Sequence, residues 1–239
     1  MTDVVSENQA YFGKIANEYD QRNADAIRQL ECSIQERIPF IGVKHGVRFL
    51  DYACDEAIGI DLTQDMVDVY NTQAQSLDIS RQAYQGNLID PTDASPAAFA
   101  DAKFFDFDVA GVGLGFHHFD KPGLASKRLA ERLRPGGVLF IIDFVAHKID
   151  PEDAAHRGIT HHGFSEEDIK KMFEDAGLTK FAYQELPEPI TFKDPKGESH
   201  HGHSHGHDHG HGHGHGHDHG EKKGLTMTKR AFIARATKL

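Results

Sequence analysis

The run VLFIIDFV over residues 138–145 places the strongest constraint on the fold. A strand with one wet face alternates apolar and polar residues. A continuous apolar run needs both faces covered, which is the pattern of a strand inside a mostly parallel sheet flanked by helices. RPGG at 134–137 supplies a turn before it.

The rest of the chain alternates in the same sense. VRFLD (47–51) and EAIGID (56–61) are strand-like, and FFDFDVAGVGLGF (104–116) starts as a buried strand and dissolves into glycines. GNLID (86–90) marks the end of a further strand. Between them lie helices: one opened by Thr63 and carrying Met66, Val67, Val69 and Tyr70, and one opened by Asp120 and carrying Leu124, Leu129 and Leu133. A third is capped by Ser165, with Ile169, Met172, Phe173 and Ala176 on one stripe and Gly177 as its stop. Ahead of the first strand, Phe12, Ile15, Ala16 and Tyr19 share one helical face over 6–19, with Ser6 and Gln9 at capping-box spacing. Ile27, Leu30, Ile34 and Ile38 share a stripe over 23–38, closed by Pro39 and Gly42. KFAYQEL and LTMTKRAFIARATKL follow as strands with no helix between them, so one of the pair runs antiparallel. The expected fold is α/β: a Rossmann-like, mostly parallel sheet with helices on both faces and an antiparallel C-terminal strand hairpin. Residues 1–197 and 222–239 are expected to form a single domain, in which 1–42 is an N-terminal helical cap.

Residues 198–221 stand apart. HHGHSHGHDHGHGHGHGHDH (200–219) holds eleven of the chain's eighteen histidines, alternating largely with glycine. It has no apolar residue to bury, and glycine maximises the entropy lost on ordering, so it is expected to be a disordered insertion in the last hairpin. Loop closure cost rises slowly with length, so the sheet tolerates it. Imidazoles two residues apart can converge on Zn²⁺, Ni²⁺, Co²⁺ or Cu²⁺. The candidate ligands are His203, His205, His207, His209, His211, His213, His215, His217 and His219, in a non-catalytic role.

Charge and cysteine content narrow the partners. The formal net charge is −11 and no long run of Lys or Arg exists, which argues against a nucleic-acid face. Two cysteines, Cys32 and Cys54, are too few for a disulfide framework. The polar, acidic N-terminus is unlike a targeting peptide, and no apolar run approaches the ~20 residues of a membrane helix. The expectation is a cytoplasmic protein with no membrane or nucleic-acid partner; the oligomeric state is not legible.

In an open parallel sheet, ligands bind at the carboxyl ends of the strands, near the reversal of strand order. Asp51 and Asp61 end two strands there, and GVGLG (111–115) follows another. A carboxylate at the tip of the second strand can accept two hydrogen bonds from a ribose diol, and it can equally cap the following helix.

YFGKIANEYD (11–20), VRFLDYAC (47–54), IGIDLTQDMVDVYN (58–71), QGNLID (85–90), FDFDVAGVGLGFHHFDKP (105–122) and ERLRPGGVLFIIDF (131–144) come in a specific order. Together they resemble the class I S-adenosylmethionine-dependent methyltransferases, in the subgroup that acts on small molecules. The resemblance implies methyl transfer from S-adenosylmethionine to a small-molecule acceptor. It places Asp51 near the methionine moiety, counts Ala53 and Cys54 among the cofactor-binding residues, and sets Asp61 on the ribose hydroxyls and Leu62 against the adenine. It also implies that Asn87 and Leu88 border the adenine, that Gly113 and Leu114 line the methionine side, and that Tyr19 closes over the cofactor. His117 and His118 are the base candidates it offers, against a structural hydrogen-bonding role for each. The alternative is a non-catalytic methyltransferase-like scaffold whose His-rich loop binds or buffers divalent metal.

One part of the pattern is missing. The family's first motif runs into a Gly-x-Gly turn and a crossover helix, and here Cys54 is followed at once by Asp55 and Glu56. Parallel neighbours need a crossover of about a dozen residues, and only 52–56 join these two strands. The spacing predicts that the first strand frays or that the two pair differently, leaving apolar surface uncovered.

Overall fold

The computed structural model describes residues 4–42, 47–50, 56–77, 80–148, 159–193 and 226–239. Its strands are β1 (Phe49–Leu50), β2 (Glu56–Asp61), β3 (Ser80–Gln85), β4 (Phe107–Gly113), β5 (Leu133–Phe144), β6 (Leu178–Glu185), β7 (Ile190–Lys193), β8 (Thr226–Lys229) and β9 (Ala231–Lys238). Its helices are α1 (Val4–Glu36), α2 (Ile38–Ile41), α3 (Gln64–Ser76), α4 (Pro122–Arg132) and α5 (Glu166–Asp175). Seven strands form one sheet in the order β3-β2-β1-β4-β5-β9-β6. β9 runs antiparallel to both β5 and β6, and the other pairings within this sheet are parallel. This is the Rossmann-like sheet with an antiparallel C-terminal pair.

The apolar run of β5 behaves as its composition requires. Phe140 and Ile142 enter one core with Phe49, Val109 and Ile233, while Leu139 and Ile141 enter the other with Phe116, Ile169 and Phe173. Side chains of a strand alternate between faces, so both faces are buried. Each such residue contributes roughly 1.5–3 kcal/mol of burial. RPGG does not precede the strand but bulges from it: the register jumps from Phe107↔Leu133 to Val109↔Val138. Gly136 takes φ +80 there.

β1 and β2 both form, in parallel, paired at Phe49↔Ala57 and Leu50↔Ile58. The expectation of a different pairing is corrected, and the reason lies in the overlap. Among the described residues two pairs are matched, Phe49↔Ala57 and Leu50↔Ile58, so the chain returns about 8 Å rather than a full strand length, within the reach of the short connection. The uncovered face is covered too, by an element the sequence divided wrongly. The two helices expected over 6–19 and 23–38 are one helix, α1, of 33 residues. Its second half brings Ala26, Leu30 and Ile34 onto Phe49, Ala57, Val109 and Phe140, joined by Phe40 and Ile41 of α2. These residues bury the face that a crossover helix would otherwise occupy. Ser6 therefore lies inside α1 rather than at its start.

Other local signals hold or shift in instructive ways. Ser165 caps α5 through a reciprocal capping box with Asp168, and Gly177 follows at φ +78. Thr63 is the N-cap residue of α3 by backbone, yet its hydroxyl donates to Asp61 instead of accepting from the helix. Asp120 does not cap α4, whose N-cap is Lys121 with no side-chain bond. LTMTKRAFIARATKL breaks at Arg230 into β8 and β9. β8 pairs with β7, Lys193 opposite Thr226, so the segment holding the histidine tract leaves and re-enters at adjacent strand ends. The tract itself, including His203 to His219, lies outside the described residues, as do Asp51, Ala53 and Cys54.

Candidate active site

The ends of β1, β2 and β4 and the first half of α1 enclose a cleft of about 200 Å³. Tyr19, Asp61, Leu62, Asn87, Leu88, Gly113, Leu114 and His118 all line it. Residues from helix, strand tips and loops far apart in the sequence thus share one cavity, at the strand-order reversal where open parallel sheets bind ligands.

Asp61 sits where β2 meets α3. Its Oδ1 accepts from the Thr63 backbone N–H at 2.8 Å and from the Thr63 hydroxyl at 2.9 Å. The strand tip is tied to β3 by Gly86 N–H donating to the Asp61 carbonyl at 2.8 Å. The Leu62 carbonyl accepts from Gln85 Nε2 at 3.1 Å and from Gln9 Nε2 at 3.3 Å, which links α1 to the same corner. Asp61 therefore performs the capping role through one oxygen, and a carboxylate has a second oxygen with its own lone pairs. Asn87 makes a local turn, its Oδ1 accepting from Ile89 N–H at 2.9 Å.

At the end of β4, Leu114 holds φ +53, held by its N–H donating to the Ile142 carbonyl at 2.8 Å. A left-handed leucine costs on the order of 1–3 kcal/mol, and such residues cluster at binding sites. α1 closes the other wall. Burial pushes the Tyr19 phenol up to about 12, with Tyr11, Asp20 and Asp61 acting in the same direction. It remains a protonated donor throughout the neutral range. Phe12 sets its ring edge-on to His118 at 5.0 Å.

His117 and His118 separate in role. His118 lines the cleft, and its carbonyl accepts from Asn8 Nδ2 at 2.9 Å. His117 is buried behind it. Its backbone N–H and Nδ1 bond Asp143 at 3.0 and 2.8 Å, and Asp143 is fully buried in β5. Asp143 Oδ1 also accepts from Phe144 N–H at 2.6 Å. A carboxylate only accepts, so Nδ1 of His117 carries the proton.

Beyond β5, residues 159–164 dock back on the strand end. Phe164 N–H donates to the Phe144 carbonyl at 2.9 Å and His147 N–H to the His162 carbonyl at 2.9 Å. Gly163 takes φ +80, and a Cβ there would meet the Phe144 and Val145 carbonyls at 2.6 Å, so only glycine fits. Burial lowers the His147 pKa, opposed by the Val145 carbonyl bonded to Nδ1 and reinforced by Lys229, His117 and His162. The folded state thus resists a proton that the unfolded chain accepts near pH 6.5. Stability contributed by neutral His147 is present above that pH and is lost as pH falls below it. The urea midpoint is expected to drop between pH 7.5 and 5.5, and His147→Gln to flatten part of that slope.

The sequence pointed to Tyr19, Asp61, Leu62, Asn87, Leu88, Gly113, Leu114 and His118 as site residues, and the structure brings them together. It also adds Asn8, Met66 and Phe119 to the lining. Phe12 and Met66 had a signal, as apolar positions on helical stripes; Asn8 had none.

A family model described as a methyltransferase domain matches residues 41–141. An uncharacterized methyltransferase of Schizosaccharomyces pombe is 25% identical, aligned over 75% of this chain and 81% of its own. The uncharacterized methyltransferase YcgJ of Bacillus subtilis is 27% identical over 57% of this chain and 50% of its own. In structure, YcgJ superposes with a TM-score of 0.58 at 17% identity, covering 87% of this chain and 98% of that one. An S-adenosylmethionine-dependent methyltransferase of Thermotoga maritima also gives 0.58, at 15% identity, over 97% and 99% of the two chains. Phosphoethanolamine N-methyltransferase 2 of Haemonchus contortus, in complex with S-adenosylhomocysteine, gives 0.58 at 14% identity over 77% of this chain and 47% of that one. These structural similarities speak to the fold.

Proposed function

We propose that this chain is a class I S-adenosylmethionine-dependent methyltransferase and that the cleft between α1 and the tips of β1, β2 and β4 methylates a small-molecule acceptor. The observation that carries this is the meeting of Asp61, Leu62, Asn87, Leu88, Gly113 and Leu114 in one cavity at the strand-order reversal.

The described wall fits the adenosine half of the cofactor. The second oxygen of Asp61 would accept from the ribose hydroxyls, while Leu62, Met66 and Leu88 offer an apolar slot for the base beside Asn87. Tyr19 closes the cavity from α1, and Gly113 with the strained Leu114 bounds the methionine side. No Lys or Arg is among the described lining residues, which suits a sulfonium cation. Asp51, proposed for the methionine end, and Ala53 and Cys54, proposed as further cofactor-binding residues, belong to the segment outside the described residues. When bound, S-adenosylmethionine supplies an electrophilic methyl group that a lone pair on the acceptor can attack. The residues of the chain orient the two partners and exclude water, which is how positioning lowers such a barrier.

Titrating the full chain with S-adenosylmethionine in a calorimeter tests this reading. One-to-one binding is expected; absence of binding would overturn it.

The histidine tract is proposed as an independent metal-binding segment, His203 to His219 supplying imidazoles to Zn²⁺, Ni²⁺, Co²⁺ or Cu²⁺. Among the described residues no cluster could hold a metal ion, so the tract and the cleft are separable. Deleting 198–221 is expected to abolish Ni²⁺ uptake while changing methyl transfer by less than about twofold, since loop length weighs little on closure. The proposed setting is cytoplasmic, and no helix among the described residues is long and apolar enough to cross a membrane.

A further inference from the structure

The segment 159–164 bridges two places. At one end it pairs with the chain leaving β5: Ala146 N–H donates to the Phe164 carbonyl at 3.1 Å, and His147 N–H to the His162 carbonyl at 2.9 Å. At the other end it holds the turn after β4. The N–H groups of Thr160 and His161 both donate to the His117 carbonyl at 3.1 Å. The Thr160 hydroxyl lies 2.9 Å from the carbonyls of His117 and Phe119. His118 and Phe119, on that turn, line the cleft.

His147 sits at the β5 junction in a setting that suits only its neutral ring. Nδ1 is 3.0 Å from the Val145 carbonyl, and a carbonyl only accepts, so Nδ1 carries the proton. Nε2 is buried and, among the described residues, has no hydrogen-bond partner. A second proton would place a charged N–H there without an acceptor, which is costly. Burial already holds the His147 pKa down, against the Val145 bond, and Lys229, His117 and His162 add to the effect. Lys229 Nζ lies 4.6 Å from the centre of the Phe144 ring, and the His147 ring meets that same ring edge-on at 6.1 Å. His117 faces away, its Nδ1 bonded to Asp143. To take a proton the His147 ring must turn out to water. That movement gives up the Val145 bond and disturbs the backbone on which 162–164 is paired.

We propose that 159–164 is a pH-sensitive strap: protonation of His147 releases it from β5, the release loosens the His118–Phe119 wall of the cleft, and a ligand in the cleft opposes both. Only the choice of ligand rests on the methyltransferase reading. The sign follows from proton uptake on opening. Above about pH 6.5 His147 is neutral in the open and closed forms, and the strap stays down. Below it the opening constant rises by up to about tenfold per pH unit, until the closed form titrates as well.

Hydrogen exchange on the full chain at pH 7.5 and 5.5, corrected for the intrinsic rate, tests this in wild type and His147→Gln. In wild type, 145–147, 159–164 and 117–119 are expected to lose protection together at pH 5.5, by roughly three- to tenfold. α3 and β2 are expected to hold theirs, and His147→Gln to abolish the loss. Equal loss over α3 and β2 would mark a global titration and overturn the strap. Loss at 159–164 with 117–119 unchanged would overturn its link to the cleft, and an undiminished loss in His147→Gln would overturn the assignment to His147. Exchange of the imidazole C2 hydrogen reads the titration of His147 directly. A midpoint at or above about 6.5 there overturns the proposal even if the variant fails to fold. S-adenosylhomocysteine at ten times its Kd is expected to restore about tenfold protection to 159–164 at pH 5.5. Bound ligand that leaves this exchange unchanged would overturn the coupling. If S-adenosylhomocysteine binds at neither pH, the methyltransferase reading falls, and exchange at 117–119 still decides the strap.

Discussion

Asp61→Asn should weaken S-adenosylhomocysteine binding by about 30- to 100-fold while leaving the thermal midpoint nearly unchanged. The two effects separate because the two oxygens of Asp61 do different work. Oδ1 accepts from Thr63 N–H and hydroxyl, and an asparagine carbonyl can hold both contacts. Asparagine is also a good residue at a helix start. The other oxygen, proposed for the ribose diol, becomes an NH₂ group that can no longer accept. Losing hydrogen bonds to a charged acceptor costs roughly 2–3 kcal/mol, which is the stated factor in affinity. Calorimetric titration beside a melting curve checks both arms. An affinity within threefold of wild type would remove Asp61 from the cofactor site and leave it a capping residue only.

Asp143→Ala should be the most destabilising substitution of a site-adjacent residue, costing about 3–5 kcal/mol. Asp143 is fully buried and accepts from His117 N–H, His117 Nδ1 and Phe144 N–H. Truncation leaves those donors buried with nothing to receive them. For a chain of this size the thermal midpoint should fall by roughly 6–20 °C. His117 carries the loop that follows β4, and its carbonyl receives Thr160 N–H and hydroxyl at 3.1 and 2.9 Å. The loss should therefore reach the 159–164 segment, and amide exchange there should rise with the fall in stability. A midpoint within about 2 °C of wild type would show that Asp143 is dispensable.

Much of this architecture is legible in the sequence because its signals are local. The apolar run of β5 demands two covered faces, the Ser165–Asp168 box begins α5, Gly177 follows its end, and Asp61 falls at a strand tip. Each depends on residues within a turn or a strand of one another, and backbone sterics and burial act over that distance. Residues 200–219 are equally plain as a tract without core-forming side chains.

Other features exist only in three dimensions. No periodicity says that the second half of α1 lies across β1, β2 and β4, where a crossover helix is missing, because that depends on which face the sheet order leaves open. A crossover of about a dozen residues is what a full-length parallel overlap requires, and β1 and β2 match at two pairs among the described residues. Asp143 looks in the sequence like an interruption of an apolar strand; it is a receiver for His117, 26 positions earlier. Asn8 reads as an ordinary helical residue until the carbonyl of His118, 110 positions away, accepts from its amide nitrogen. By itself the sequence determined most of the strands of the sheet, the family pattern and the acid at the tip of β2. Packing between distant segments decided which face α1 covers and which residues share the cleft, since burial and hydrogen-bond satisfaction are properties of the assembled chain.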